Sequence, residues 1–535
     1  MRKIYKILMF LPLSLGSATL LVSCDKKDDV RVLRVLNCED YIYEYEEGDE
    51  KEMEPPEEEN WFKMDVMDQF VEYWKNTHGG EEIEYVYDTF DTNETMFNEL
   101  QTGKTTYDVI VPSDYMIQKL ISNNMLHKIS DKNKEAIWEN ISPYLVDKFD
   151  NIKAVYENED KTIHEEYALS EFSVPYMWGT VGMMYNPEYY AEEEHGGLDE
   201  DTVHSLFMDW DSLYTNEDIR GTFSIKDSVR DTYAVSLVHA YRDEISVTND
   251  ASELEKIFNR NSVEEMAYVK EDMLKLKDAA FGFECDSGKT DMVDGKVGAN
   301  MCWSGDATWA ITEASDGEEP KDLYYAIPTS YNGEAGKGAS NIWFDGLCMP
   351  RNTDHEDNLS EEELAQYELA EEFIKFMSTP EVAVQNCYCV GYTPGVAGEA
   401  IFDYMLDCYA VEEGEDYVEF NLTYFFKDTF SDEYLAENEI DNNFIVICAD
   451  PRTAKKELAA QYPEESILNR LAIMKDFGKE ANTRLLDTWE QVRTNALPLW
   501  GIILFAVEGA GAIAFAVYLL TRKVHRKKDK KLRNI

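Results

Sequence analysis

Histidine, cysteine and carboxylate side chains are the groups in this chain that could do chemistry, and their spacing forms no catalytic pattern. The eight histidines, such as His78, His127, His164 and His239, do not cluster along the sequence. Glu-rich stretches supply many carboxylate pairs, but none carries the signature of a hydrolase. The sequence also lacks a nucleophile elbow, a phosphate-binding glycine loop, a dinucleotide fingerprint and an HExxH zinc motif. We therefore predict that the chain is not an enzyme.

The cysteines give no metal site either. Eight cysteines follow Cys24, and none of them forms a C-x-x-C pair. The Cys387-x-Cys389 pair alone is too small for zinc, which needs four convergent ligands. We predict buried thiols, no metal and no cofactor.

The charge balance excludes one class of partner. The chain carries 50 Lys and Arg residues against 107 Asp and Glu residues, a formal net charge of −57. Nucleic-acid phosphates require cationic partners, so we predict no nucleic-acid binding. The acidic balance fits either a cationic ligand or simple solubility. In contrast, the last fifteen residues hold eight Lys or Arg and one Asp, which suggests that the two parts lie in different compartments.

The N-terminus has the features of a secreted lipoprotein. A basic start precedes an apolar run over 7–22 and then Ser23-Cys24, the order expected of a signal peptide. The residues at 21–24 (LVSC) resemble a lipobox, in which the cysteine carries the lipid. We predict a signal peptide over 1–23, lipidation of Cys24 and a tether over 24–30.

The C-terminus predicts a second membrane anchor. Residues 497–520 are apolar apart from Glu508 and are numerous enough to span a bilayer. The basic tail over 521–535 then lies in the cytoplasm by the positive-inside rule, which places the body outside. A carboxylate inside a membrane usually faces protein or water. The span could pack against a permease subunit through Glu508 or serve as a passive anchor.

The body between these anchors alternates strands and helices. Residues 32–36, 82–87 and 107–111 have strand patterns, and 60–74 and 93–100 have helical patterns, with Asn93 as a cap. Such alternation predicts α/β layers around a mainly parallel sheet. The same analysis predicts an acidic surface loop over 44–59, a polar insertion over 156–166 and a final helix over 464–492.

Eight short stretches, in order, resemble the spermidine/putrescine-binding proteins of bacterial ABC importers. The resemblance covers roughly residues 31–490. The stretches are 36–41 (LNCEDY), 92–96 (TNETM), 107–115 (YDVIVPSDY), 174–179 (VPYMWG), 227–231 (DSVRD), 301–305 (MCWSG), 343–345 (WFD) and 391–394 (GYTP).

The resemblance implies a type II periplasmic-binding-protein fold, an α/β fold of two lobes that close over a ligand in the cleft between them. Lobe one would comprise 31–180 and 344–402, and lobe two 183–340 and 406–490. The implied function is capture of a polyamine outside the cell and its delivery to ABC permease subunits at the membrane.

Ligand-contact roles are likewise implied by the resemblance. Asp345 matches the carboxylate that grips an amine, and Asp231 and Asp40, with Glu39 beside it, match other acidic positions. The remaining matches are a polar contact and aromatic walls: Ser113, Tyr41, Tyr115, Trp303, Trp343 and Tyr392. Cys38 and Ser228 depart from the family pattern, since members often carry an aromatic and a second acid there.

This residue set suits a flexible polycation. Each ammonium needs a paired carboxylate when it leaves water, and aromatic faces contact both the methylenes and the ammonium groups through cation–π attraction. The departures at Cys38 and Ser228 leave open another cationic or iron-bearing solute. A membrane-anchored sensory or adhesive ectodomain is a further alternative.

Overall fold

The computed structural model describes residues 30–45, 63–158, 162–284, 287–317, 320–352, 358–411 and 414–494. The predicted signal peptide, Cys24, the span over 497–520 with Glu508 and the basic tail lie outside these residues, as does most of the acidic loop over 44–59. Within the described residues, no helix combines the length and the apolar character needed to cross a membrane.

Helices and strands alternate through the described chain. The helices are α1 Val66–Thr77, α2 Asn93–Thr102, α3 Asp114–Ser122, α4 Asp131–Trp138, α5 Pro143–Asn151, α6 Pro187–Ala191, α7 Glu200–Phe207, α8 Ser212–Thr215, α9 Val229–Ala240, α10 Arg242–Val247, α11 Ala251–Phe258, α12 Val263–Ala279, α13 Ser287–Asp294, α14 Ser304–Asp316, α15 Glu361–Met377, α16 Pro380–Val390, α17 Glu399–Tyr409, α18 Thr423–Phe426, α19 Asp432–Glu437, α20 Glu457–Gln461, α21 Glu465–Leu468 and α22 Gly478–Arg493. The strands are β1 Arg31–Cys38, β2 Ile83–Phe90, β3 Val109–Ile110, β4 Leu126–His127, β5 Lys153–Glu157, β6 His164–Ala168, β7 Ser173–Tyr185, β8 Phe223–Lys226, β9 Gly282–Glu284, β10 Ala299–Trp303, β11 Tyr324–Ala326, β12 Ser330–Tyr331, β13 Glu334–Ala335, β14 Ser340–Pro350, β15 Thr393–Pro394, β16 Val418–Asn421, β17 Val446–Ala449 and β18 Leu471–Ala472.

Two long strands join the two halves of the molecule. β7 and β14 are buried along their whole length, which explains their nearly continuous apolar sequences. They pair antiparallel from Ile342↔Thr180 to Cys348↔Ser173. Immediately after Thr180, β7 takes β10 as a partner, starting at Val181↔Trp303. The change of partner marks the passage from one lobe to the other.

Each lobe has its own sheet on one side of this passage. The strand order is β2-β1-β3-β14-β7-β10-β8-β9. On one side β1 runs parallel to β2 and β3, and on the other β8 runs parallel to β10 and β9. The chain is therefore built from two α/β lobes, as predicted. The exact lobe boundaries stay predictions.

The carboxyl ends of the central strands face the space between the lobes. The segments that follow β1, β3, β8 and β10 contain the sequence stretches named above, and three of them lead directly into α3, α9 and α14. Ser228 caps α9, because its Oγ accepts a hydrogen bond from the Asp231 N–H. Ligands of open α/β sheets bind at such carboxyl edges, so the topology itself selects this region as the candidate site.

Three local predictions were wrong in part. Helix α1 begins at Val66, and Thr92 rather than Asn93 caps α2. The polar insertion over 156–166 includes the adjoining ends of the paired strands β5 and β6. The final helix is divided into α21 and α22 by β18, because residues 471–472 pair with β14.

Among the described cysteines, Cys302, Cys348, Cys387, Cys408 and Cys448 are free thiols. Cys302, Cys348 and Cys387 are buried as predicted, whereas Cys38, Cys389 and Cys448 are half-buried and Cys408 is exposed. The prediction of buried thiols was therefore wrong in part.

Candidate ligand-binding cleft

A cleft of about 1720 Å³ lies between the lobes, and all ten residues predicted to contact ligand line it. They come from distant parts of the sequence and from both lobes. These residues are Glu39, Asp40, Tyr41, Ser113, Tyr115, Asp231, Trp303, Trp343, Asp345 and Tyr392.

Asp345 is a buried carboxylate on β14 with unused acceptor capacity. The Tyr41 hydroxyl donates to its Oδ2 at 2.9 Å. Its Oδ1 is buried and has no hydrogen-bond partner within the described part of the chain. Burial raises the pKa of Asp345 to about 6, hydrogen bonds from the Ser113 and Tyr41 side chains oppose this rise, and the nearby charge of Asp231 adds to it. Asp345 is thus ionised at neutral pH, and no cationic side chain of the described residues contributes to its pKa.

Asp231 is a second buried carboxylate, in the first turn of α9. Its Oδ2 accepts a hydrogen bond from the Trp303 indole Nε1–H at 3.1 Å. Burial raises its pKa, while Ser228, Trp303 and the cations Lys226 and Arg230 lower it. The two acidic side chains repel each other, and an added cation would relieve that repulsion.

Aromatic rings pack edge to face around Asp345. The ring of Tyr392 lies 5.2 Å from that of Tyr41 and 5.6 Å from that of Trp343, at steep angles. Such contacts fix the ring orientations. The Trp343 Nε1 is buried without a hydrogen-bond partner among the described residues.

Ser113 and Tyr115 are held by Asn93, which sequence analysis had assigned only to helix capping, and by the neighbouring Glu94. Asn93 bonds the Ser113 backbone N–H and the Ser113 Oγ, at 3.0 and 2.9 Å. The Tyr115 hydroxyl donates to Glu94 at 3.2 Å, and the Arg230 guanidinium lies 4.5 Å from the Tyr115 ring centre. Asn93 and Glu94 therefore position the cleft wall.

Glu39 and Asp40 lie at the mouth of the cleft, away from the buried carboxylates. Both are exposed, and the Asp40 side chain retains 75% of its accessibility while its Oδ2 lies 3.6 Å from Lys289 Nζ. This ion pair joins the loop after β1 to α13 of the opposite lobe. Its exposure makes its contribution to stability small.

Sequence analysis missed four buried charged residues that line the cleft: Asp114, Lys226, Arg230 and Asp306. Each lies within or beside a quoted stretch. Nothing in the sequence distinguished Asp114 or Asp306 from the other acidic residues, because only their burial in the folded protein sets them apart. The pKa of Asp114 is raised well above its usual range by burial and by the neighbouring Asp345.

Gly305 keeps Tyr392 in place. A Cβ at this position would lie 2.1 Å from two carbons of the Tyr392 ring, so Gly305→Ala must displace a ring that is itself buried. We expect the free energy of unfolding in urea to fall by about 1–3 kcal/mol, the usual cost of overpacking. Gly282→Ala is the control, because no atom lies within 4 Å of its Cβ. Equal stability of the two variants would contradict the close packing of Gly305 and Tyr392.

Comparison with known proteins agrees with this architecture. The family model for bacterial extracellular solute-binding proteins matches residues 68–400, more than half of the chain. The chain belongs to this family. Because its members bind solutes, the expectation that the chain is not an enzyme is confirmed.

Individual relatives of this solute-binding protein have low sequence identity to it, but the alignments cover more than half of each chain. The putrescine-binding periplasmic protein SpuD of Pseudomonas aeruginosa is 24% identical over 349 residues, which cover 63% of this chain and 77% of the relative. The spermidine/putrescine-binding periplasmic protein of Escherichia coli is 26% identical over 323 residues, 60% of this chain and 72% of the relative. The resemblance identified from the eight stretches is thereby confirmed.

A solved structure from Listeria monocytogenes, named for a spermidine/putrescine ABC transporter, covers 87% of this chain and 99% of its own, with a TM-score of 0.53 at 20% identity. This likeness shows that the two chains share a fold. The two-lobe α/β binding-protein fold that was predicted is therefore confirmed.

Proposed function

We propose that this chain is the extracytoplasmic solute-binding subunit of an ABC importer, and that it captures spermidine or putrescine for delivery to permease subunits. The observation that carries the proposal is Asp345: a buried, ionised carboxylate with one oxygen unpartnered among the described residues, beside Asp231 and enclosed by aromatic rings. An alkylammonium ion would supply the missing charge and the missing donor.

The contacts follow from this geometry. Asp345 and Asp231 pair with ammonium groups, and Trp303, Trp343, Tyr41 and Tyr392 contact the methylenes. Tyr115 and Ser113 complete the wall, while Glu39 and Asp40 attract the cation at the mouth of the cleft. The names of the relatives, which are putrescine- and spermidine/putrescine-binding proteins, support the ligand class.

The tyrosines of the cleft favour an organic cation over iron. The hydroxyls of Tyr41 and Tyr392 donate to Asp345 and to Asp306 respectively. Burial raises the pKa of both phenols. Metal ligands must be deprotonated, and these phenols are held as neutral donors.

Attachment to the membrane is part of the proposal. Lipid at Cys24 and a span over 497–520 would hold the binding lobes outside the membrane, with the basic tail over 521–535 in the cytoplasm. The relatives named above are periplasmic proteins, in agreement with this placement.

Isothermal titration of the ligand-free full chain tests the function. We expect a heat of binding with putrescine or spermidine, because each offers a charged donor to Asp345. 1-Butanol, which has the methylenes without an ammonium group, should give none, and arginine and ferric citrate test the alternative solutes. A folded, ligand-free protein that gives no heat with putrescine, spermidine or spermine would contradict the proposal.

A further inference from the structure

A buried lysine lies in the cleft wall beyond Trp303. Lys226 is the last residue of β8, and its side chain is only 4% exposed. Its Nζ donates to Asp306 Oδ2 at 2.9 Å and lies 3.7 Å from Glu284 Oε1. The same Nζ lies 4.5 Å from the centre of the Trp303 ring. The ammonium group of this lysine therefore has two carboxylates and an aromatic face around it.

Each oxygen of the two carboxylates around Lys226 already has a partner within the chain. Asp306 Oδ1 accepts the Tyr392 hydroxyl at 2.9 Å. Glu284 accepts from the Gly288 backbone N–H at 2.8 Å and from Asn300 Nδ2 at 3.1 Å. Burial alone would raise the pKa of Asp306, but the positive charges of Lys226 and Lys289 hold it below its usual value. Lys226 thus occupies, within the chain itself, the position between these two carboxylates.

The surroundings of Lys226 are those that an ammonium group of a polyamine would require. Trp303 links the two regions, since its Nε1–H bonds Asp231 and its ring face lies beside Lys226. The position next to Asp231 along the cleft wall that suits a cation is thus already occupied by the ammonium group of Lys226.

We propose that Lys226 acts as a built-in ammonium group that limits the ligand to a short diamine, bound at Asp345 and Asp231, and excludes the additional ammonium of a triamine. This inference rests on the proposed polyamine function and adds a specificity-determining residue to it. The third ammonium of spermidine would lie either beside Lys226, a like charge, or in the open mouth, where solvent screens the acids.

Competitive titration of the full chain with putrescine and spermidine tests this inference. We expect the wild type to bind putrescine at least tenfold more tightly than spermidine. Lys226→Ala removes the built-in ammonium and frees Asp306 and Glu284, so the ratio of the two affinities should move toward spermidine by at least tenfold. Lys289→Ala is the control, since it removes the same charge from the mouth of the cleft and should change the ratio less than threefold.

If Lys226→Ala does not fold, the affinities of the wild type for amines of different length still decide between the outcomes. Affinities for 1,3-diaminopropane, putrescine, cadaverine, spermidine and spermine should be highest for a diamine. Spermidine binding as tightly as putrescine would overturn the role of Lys226 and leave the proposed function intact, as would an unchanged ratio in folded Lys226→Ala. Absence of binding by every polyamine would overturn the function, and this inference with it.

Discussion

Asp345→Asn is expected to weaken polyamine binding more than tenfold, which corresponds to more than about 1.4 kcal/mol. Asparagine keeps the size of the side chain and can still accept from Tyr41, so the packing of the cleft is preserved. What disappears is the negative charge that pairs with a desolvated ammonium, and breaking a buried ion pair by removing one partner carries a large penalty. Titration calorimetry with putrescine measures the change.

The stability of Asp345→Asn separates loss of binding from misfolding. Burial raises the pKa of Asp345 to about 6 from its ordinary value of 3.8, so the folded, ligand-free protein binds a proton more readily than the unfolded chain does. Above this pKa the ionised carboxylate opposes folding. The asparagine variant should therefore unfold, without ligand and at pH 8, at a temperature equal to or above that of the wild type.

Asp40→Asn provides the matched control for Asp345→Asn. It makes the same chemical change in the same cleft, but the Asp40 side chain retains 75% of its accessibility and faces Lys289. Water screens such a group, and we expect less than a threefold loss of affinity. If Asp345→Asn retained full affinity, or if Asp40→Asn lost as much, Asp345 would not be the principal ammonium partner.

The sequence predicted the parts of the fold that depend on local pattern. Alternation of apolar residues identified the strand over 32–36, and the order of eight short stretches identified the family and its two lobes. The prediction of a final helix over 464–492 was wrong in part because tertiary contacts interrupt the helix there. Arg470 is buried and donates to the Gly338 and Thr248 carbonyls at 2.8 and 2.6 Å, and the residues after it pair with β14. These contacts cannot be predicted from the local sequence.

Local sequence analysis could not predict the buried charged residues of the cleft either. Asp306 directly follows a quoted stretch and Lys226 directly precedes another. Lys226 ends β8 and Asp306 lies in α14, directly after β10, so their ion pair forms only because β8 and β10 are neighbours in the folded sheet. The sequence pattern also could not show which acids are buried. Asp40 and Asp345 both lie in quoted stretches, yet one is exposed at the mouth and the other is buried. Burial, which decides how strongly a carboxylate needs a cation, is a property of the tertiary structure.

Polyamine affinity is expected to fall in acid, because the ligand competes with a proton for Asp345. The amines keep their charge at all relevant pH values, whereas Asp345 titrates with a pKa of about 6. Above pH 7 the carboxylate is ionised and the affinity should be constant. Below pH 6 a proton must leave before the ammonium binds, and the apparent Kd should then rise by up to about tenfold per pH unit.

Titration with putrescine at pH 7.5 and at pH 5 measures this linkage, and we expect binding to be about tenfold weaker at the lower pH. Repeating the titration at pH 6 in two buffers of different ionisation enthalpy should show release of roughly half a proton per ligand bound. Asp345→Asn should lose most of this dependence, and what remains belongs to the other buried acids of the cleft, Asp231 and Asp114, whose pKa values burial also raises. An equal Kd at both pH values in the wild type, or an unchanged pH profile in Asp345→Asn, would mean that the ammonium does not displace a proton from Asp345, and the cation would then have to bind elsewhere in the cleft.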